Sequence, residues 1–482
     1  MASPRLRHDE LVVPANFVRA VRDSGYLSLS TAIAELIDNA LQASASRIAI
    51  TVARPQGHAH PEITVEDNGC GMSVTELELC LRFGGSTRFT DRASLGRFGM
   101  GLPAASLSQC RRVQVSAWRD GGPEHSVLLD VDEVVAGGVP SFKASRGSAN
   151  TVDSGCRVRW SNCDRIEYER LGWLQRALHR DLGRMFRRFL NSRGVELTVN
   201  GAVVQPTDWL LTDTMLNGAT AEAPFEPLEY AFDVRGHRHA VVARFSVLPV
   251  RWWHQIDNRT KRRVGIVGGG GVSILRAGRE VALGWHLMGG KRKENYDDWW
   301  RCEIEFDPAL DELFGVTINK QGIRPTESLR DVLEPQLESA ARLLNVRVRE
   351  SFEEARFRAE ADVACRVARE ADKDLPVLSE MLRHSPIAYS IETKPLVGRD
   401  MFEWSASSGE LVLTLNTDHP SFAALYQPLR DLDGDRSREL RTAVELLLLA
   451  FVRSAVQVGS MPSTRELVAA WSHTLERMLR AS

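Results

Sequence analysis

Glu35-Leu36-Ile37-Asp38-Asn39-Ala40 lies inside a run, 27–44, whose apolar residues Leu29, Ile33, Leu36, Ile37, Ala40 and Leu41 recur at helical spacing. Ser30 or Thr31 is expected to cap this helix. Glu35, Asp38 and Asn39 stand at i, i+3 and i+4, so they share one helix face. Alone, such a face is ordinary solvated surface. Two later stretches change its meaning: Asp67-Asn68-Gly69-Cys70-Gly71-Met72 and Gly96-Arg97-Phe98-Gly99-Met100-Gly101-Leu102. Asp67 follows an alternating strand at 62–66, and Gly69 and Gly71 let the chain turn tightly beside it. Gly96, Gly99 and Gly101 precede a helix expected to begin near Gly101, with Pro103 in its first turn. Glycines let backbone N–H groups approach phosphate oxygens, and a helix N-terminus favours negative charge. The spacing is not that of the Walker lysine loop.

In this order and at this spacing, the three stretches resemble the nucleotide site of the GHKL ATPases, the superfamily of gyrase B, heat-shock-type chaperones, histidine kinases and MutL. MORC-like and MutL-like members are the most similar. The resemblance implies ATP and Mg²⁺ as ligands. It gives Glu35 as general base, Asn39 as the Mg²⁺ ligand, Asp67 as acceptor for the exocyclic amine of adenine, and Met72 as an apolar contact to the base. Histidine kinases usually carry Asn where Glu35 stands, so Glu35 favours hydrolysis over phosphoryl transfer to a protein histidine. Phe83-Gly84-Gly85-Ser86-Thr87 resembles a lid that closes over ATP, and residues 96–102 resemble the phosphate loop. Gly155-Cys156-Arg157-Val158 resembles the family's Gly-Thr strand, with Cys156 in place of Thr at the adenine end. Gln42 replaces an Asp found in many relatives, which removes one water-mediated contact.

The resemblance continues through Asp181–Leu190, Val199-Asn200-Gly201 and Val272–Arg279. It implies an α+β chain: a Bergerat-type ATP-binding α/β sandwich over 1–165, a transducer-like (ribosomal S5-like) α/β domain over 166–330, and a C-terminal mixed, mostly helical module over 331–482. Lys320, in Thr317-Ile318-Asn319-Lys320-Gln321-Gly322, stands where such proteins return a lysine to the γ-phosphate. The function this implies is a slow Mg-dependent ATPase clamp that pairs two copies on binding ATP and acts on DNA. The alternative is a chaperone-like ATPase with a protein client, contacted through the C-terminal module.

Further elements are read from pattern. Helices are expected at 74–81, 166–192, 326–372, 436–456 and from Thr464; strands at 47–52, 112–118, 125–130, 156–160, 228–234, 238–248 and 271–275; hairpins at Val195–Val204 and at 402–404 with 411–415. Asn200-Gly201 supplies the positive φ of a tight hairpin. The helix at 166–192 carries Arg170, Arg176, Arg180, Arg184, Arg187 and Arg188. It reads equally as a source of phosphate contacts and as a solvated face. Lys291, Arg292 and Lys293 read as a solvated loop. Net charge is −2, so no global field draws the chain to nucleic acid. Seven dispersed cysteines without a Cys-x-x-Cys pair argue for reduced thiols rather than a disulfide frame or zinc site. The N-terminal residues lack the apolar core of a signal peptide, and the most apolar stretch, 443–452, is too short to span a bilayer. A cytoplasmic location without membrane attachment is therefore expected.

Overall fold

A computed structural model describes residues 13–26, 28–85, 99–149, 153–166, 170–192, 194–317, 322–371, 387–407, 410–431 and 434–458, with a few isolated positions besides. It is mixed α/β, as expected. The chain divides into two compact units: residues 1–249 with 256–345, and residues 250–255 with 346–482.

The first unit opens with helices α1 (Pro14–Ser24) and α2 (Leu29–Gln42), strands β1 (Arg47–Ala53) and β2 (Glu62–Asp67), and helices α3 (Val74–Cys80) and α4 (Gly101–Gln109). Strands β3 (Arg112–Trp118) and β4 (Pro123–Asp130), helix α5 (Val131–Val135), and strands β5 (Ser145–Ala149) and β6 (Gly155–Ser161) follow. Helices α6 (Leu171–Met185) and α7 (Arg187–Ser192) then lead into strands β7 (Glu196–Val199) and β8 (Ala202–Val203). The eight strands form one sheet in the order β5-β4-β3-β6-β2-β1-β7-β8. Every second residue points to the helical layer: Ile48, Ile50 and Val52 of β1, Ile63 and Val65 of β2, Val113 and Val115 of β3, and Val158 and Trp160 of β6 are all buried there. Ser28, not Ser30 or Thr31, caps α2, its hydroxyl accepting from the Thr31 N–H at 3.2 Å.

The segment 166–204, read from the sequence as the start of a second domain, completes this first sheet. Strand β7 lies parallel to β1, pairing Arg47 with Glu196 through Ile50 with Val199. The hairpin turn forms as expected, with Asn200 and Gly201 at φ 48° and 79°. Asn200 also closes onto β1: its amide accepts from Val52 N at 2.7 Å and donates to Val52 O at 2.9 Å. The expected single helix over 166–192 breaks at Phe186 into α6 and α7.

A second sheet follows in the same unit. Its strands β9 (Leu228–Val234), β10 (His237–Val247), β11 (Val272–Arg276), β12 (Arg279–Gly284) and β13 (Trp300–Phe306) take the order β12-β11-β13-β10-β9. The turn between β11 and β12 uses Ala277 and Gly278 at φ 50° and 85°. This sheet buries charge. Arg187 of α7 reaches Glu303 at 2.7 Å, Glu280 at 3.0 Å and the Ser273 hydroxyl at 2.7 Å, while Arg184 pairs with Glu280 and Arg188 with Glu303. Half of the arginines read as possible phosphate contacts are thus spent inside the fold. Lys291, read as part of a solvated loop, is buried and lies 2.7 Å from the buried Asp297.

The helix Glu327–Ala371 is a single 45-residue element that enters the second unit. There, strands β14 (Ala388–Lys394), β15 (Phe402–Ser407) and β16 (Glu410–Asn416) form a sheet in the order β14-β16-β15, with the expected β15–β16 hairpin and an added parallel strand. The helix Asp435–Val458 covers a core of Leu411, Leu413, Leu449 and Val452. Among the described residues, no helix is long and apolar enough to cross a membrane. The helix expected from Thr464 lies almost wholly outside them.

Candidate nucleotide site

Helix α2 is buried over most of its length, the polar Ser30, Glu35 and Asp38 included. That burial carries Glu35 inward, to 3% exposure. A carboxylate so placed needs polar neighbours. One is the hydroxyl of Tyr26, itself buried, which hydrogen-bonds to Glu35. Burial first, and the adjacent Glu35 charge second, push that phenol far above its ordinary range. The other neighbour is Gly101, the first residue of α4. A Cβ added there would lie 2.6 Å from Glu35 Oε2, so the α4 backbone can sit this close only because position 101 is glycine. Helix α4 starts without a side-chain cap. The dipole of a helix favours an anion at its N-terminal end.

Asn39 follows Glu35 by one turn and is half-buried, within reach of solvent. Asp38 does not share that open position. It is fully buried, and its Oδ1 lies 3.0 Å from Arg279 Nε of β12. Sequence reasoning grouped Asp38 with Glu35 and Asn39 by spacing and missed both Tyr26 and Arg279. A carboxylate in the centre of an apolar helix signals a buried partner, but the partner is 241 residues away and nothing local names it.

Asp67 closes β2 on its helix-facing side, paired with Cys156 of β6. Gly69 N–H donates to Asp67 Oδ1 at 2.8 Å. Burial outweighs this bond and lifts the Asp67 carboxyl to about 6. Burial, with Asp67 and Cys80 nearby, pushes the half-buried Cys156 thiol well above its ordinary value, so it stays protonated. A protonated thiol is a weak hydrogen-bond donor. The glycines beside Asp67 are needed for shape. Gly69 sits against Ala43 at the end of α2, and Gly71, at φ 65°, passes so close to the Trp118 carbonyl that a Cβ would run into it. Met72 and Leu102 are half-buried against the same core. Gly84 N–H donates to Gly99 O at 3.1 Å, which brings Gly84 and Gly85 beside Gly99 and Met100. Ser86, Thr87, Gly96, Arg97, Phe98 and Lys320 lie outside the described residues.

The donor set fits a magnesium nucleotide. It comprises an ionisable acceptor in Asp67, the start of α4 with Glu35 against it, and the neutral amide of Asn39. No cluster of three His, Cys, Asp or Glu side chains able to hold a metal alone occurs among the described residues. Such a site suits an ion that brings most of its ligands as phosphate oxygens and water.

Comparison with known proteins agrees. Residues 27–138 match the family described as histidine kinase-, DNA gyrase B-, and HSP90-like ATPase. The DNA mismatch repair protein MutL of Agrobacterium fabrum is 32% identical over 127 residues, covering 26% of this chain and 20% of that protein. MutL of Sphingopyxis alaskensis is 34% identical over 114 residues (23% and 18%), and MutL of Beijerinckia indica 38% over 112 residues (21% and 16%). The matched region spans about a fifth of the length of these curated relatives. Over residues 27–138 the chain is therefore a GHKL-type ATPase domain by sequence, and MutL-like among such domains.

Proposed function

We propose that the chain is a magnesium-dependent ATPase whose ATP-bound form pairs with a second copy and, in that closed form, acts on DNA. The observation that carries the ATPase reading is the seating of the buried Glu35 on the first residue of α4. Asp67 accepts from the adenine amine, where guanine would present a carbonyl. The uncapped start of α4 takes the phosphates. Asn39 would hold the magnesium ion, which supplies charge neutralisation at the phosphate oxygens. Glu35 draws a proton from the attacking water, and Tyr26 fixes the carboxylate for that task. Lys320 is assigned to the γ-phosphate, where a cation offsets developing charge.

Pairing and DNA rest on likeness to MutL and on the three exposed arginines of the α6 region, Arg170, Arg176 and Arg180. The engagement of Arg184, Arg187 and Arg188 inside the fold favours the second reading, a protein client. The test uses the full chain with a non-hydrolysable ATP analogue on a sizing column, then long DNA at low and high salt. A shift to a dimer and salt-sensitive binding are expected. A strict monomer at saturating analogue removes the clamp, and no binding at low salt removes DNA. Glu35→Ala should keep ATP binding and lower turnover by ~10²–10⁴; unchanged turnover removes Glu35 as the base.

A further inference from the structure

Arg279 is the first residue of β12, in the second sheet, yet its side chain is 3% exposed and ends on helix α2 of the first. Its Nε lies 3.0 Å from Asp38 Oδ1, and its guanidinium sits 5.8 Å from the Phe186 ring centre, at the break between α6 and α7. The position is held from both sides. Gly278, before it, would bring an added Cβ to 3.4 Å from the Arg188 side chain. Glu280, after it, is gripped by Arg184, Arg187 and the Ser273 hydroxyl. On the α2 side, the charges of Arg279 and Asp38 both act on Tyr26, whose hydroxyl holds Glu35. Asp38 also adjoins Asn39 directly in the chain.

We propose that Arg279 is a positioning residue for the nucleotide site: through Asp38 it fixes the register of α2, and so the placement of Glu35 and Asn39, and ties that placement to the second sheet. The inference rests on the ATPase reading above. A buried ion pair serves registry better than stability, because its desolvation cost offsets much of its attraction. Two neighbouring residues of one strand thus address two different elements, Arg279 to α2 and Glu280 to α7. A movement of β12 is transmitted to the helix that carries the proposed base.

The experiment compares full-length wild type with Arg279→Met, Arg279→Lys and the double variant Asp38→Asn/Arg279→Met. Single-turnover ATP hydrolysis, equilibrium ATP binding and amide hydrogen exchange of residues 29–42 without nucleotide are measured on each. Arg279→Met should lose about 10- to 100-fold in turnover while its ATP dissociation constant stays within about threefold, since misplacement of a reacting group costs rate more than affinity. Exchange in α2 should rise about tenfold or more. The double variant, which leaves no buried charge unmatched, should recover part of the lost protection. Arg279→Lys and the double variant keep the test decisive should Arg279→Met not fold. Unchanged turnover and unchanged α2 exchange in Arg279→Met or Arg279→Lys, with the wild type binding ATP, overturn the role of Arg279. A wild type that binds no ATP overturns the ATPase reading and this inference together, and is distinguished by that binding measurement.

Discussion

At the scale of single residues, the site is built from groups held under electrostatic tension. Burial lifts the Asp67 carboxyl to about 6, above the ~3.9 of an unfolded chain. The sign follows from which state loses its proton first. The unfolded chain does, so position 67 favours folding below about pH 4 and loses that contribution as pH rises through 6. About two units correspond to roughly 3 kcal/mol as an upper bound. Urea unfolding of wild type and Asp67→Asn at pH 4.5 and pH 7 checks this. The stability difference, wild type minus variant, should fall by about 1–3 kcal/mol between the two values; a constant difference would contradict it. Gly101 gives a second expectation. Gly101→Ala places a methyl group 2.6 Å from Glu35 Oε2 and must displace that carboxylate. Turnover should drop by ~10²-fold with the fold intact, as read by steady-state hydrolysis beside circular dichroism. Wild-type turnover would show that Glu35 need not stand where it does.

At the scale of elements, α2, β1, β2, α3 and α4 were legible because each states its period locally: apolar residues every three or four in α2, strict alternation in β1. The Bergerat-type motifs were legible because glycine and carboxylate spacing is a property of the chain itself. Strand β13 was not. Its sequence Trp300-Arg301-Cys302-Glu303-Ile304-Glu305-Phe306 places charges where a central strand should be apolar, and most of their partners lie far off in the chain: Arg187 and Arg188 of α7 and Arg244 of β10 for the two glutamates, and backbone carbonyls at Ile266 and Asp298 for Arg301. The same physics hid the fate of the arginine-rich helix. Its period predicted a docked apolar stripe; which arginines would turn inward depended on Glu280 and Glu303. The polar edge strand β5 and the short helix α5 offered too little pattern to read. Removing Arg187 should therefore cost far more than removing a surface arginine. Arg187→Ala leaves Glu303 and Glu280 buried with one cation fewer, a loss of about 3–5 kcal/mol, whereas Arg176→Ala should stay within ~0.5 kcal/mol. Chemical denaturation of the two variants side by side checks the contrast; equal effects would mean that the network is not a unit.

At the scale of the whole molecule, the first compact unit joins two sheets, and the helix carrying Glu35 and Asn39 meets the second sheet at a buried ion pair. The second unit has its own core around a three-stranded sheet, with Arg441, Glu445 and the Tyr426 hydroxyl forming an internal polar cluster. Everything proposed beyond the fold depends on adenine triphosphate binding at Asp67, Asn39 and the start of α4. Isothermal titration of magnesium ATP into the folded full-length chain tests that directly. Saturable heat with one nucleotide per chain at pH 7, lost in Asp67→Asn and absent with GTP, is the expected result. No heat with magnesium ATP, or equal binding of GTP, would contradict it.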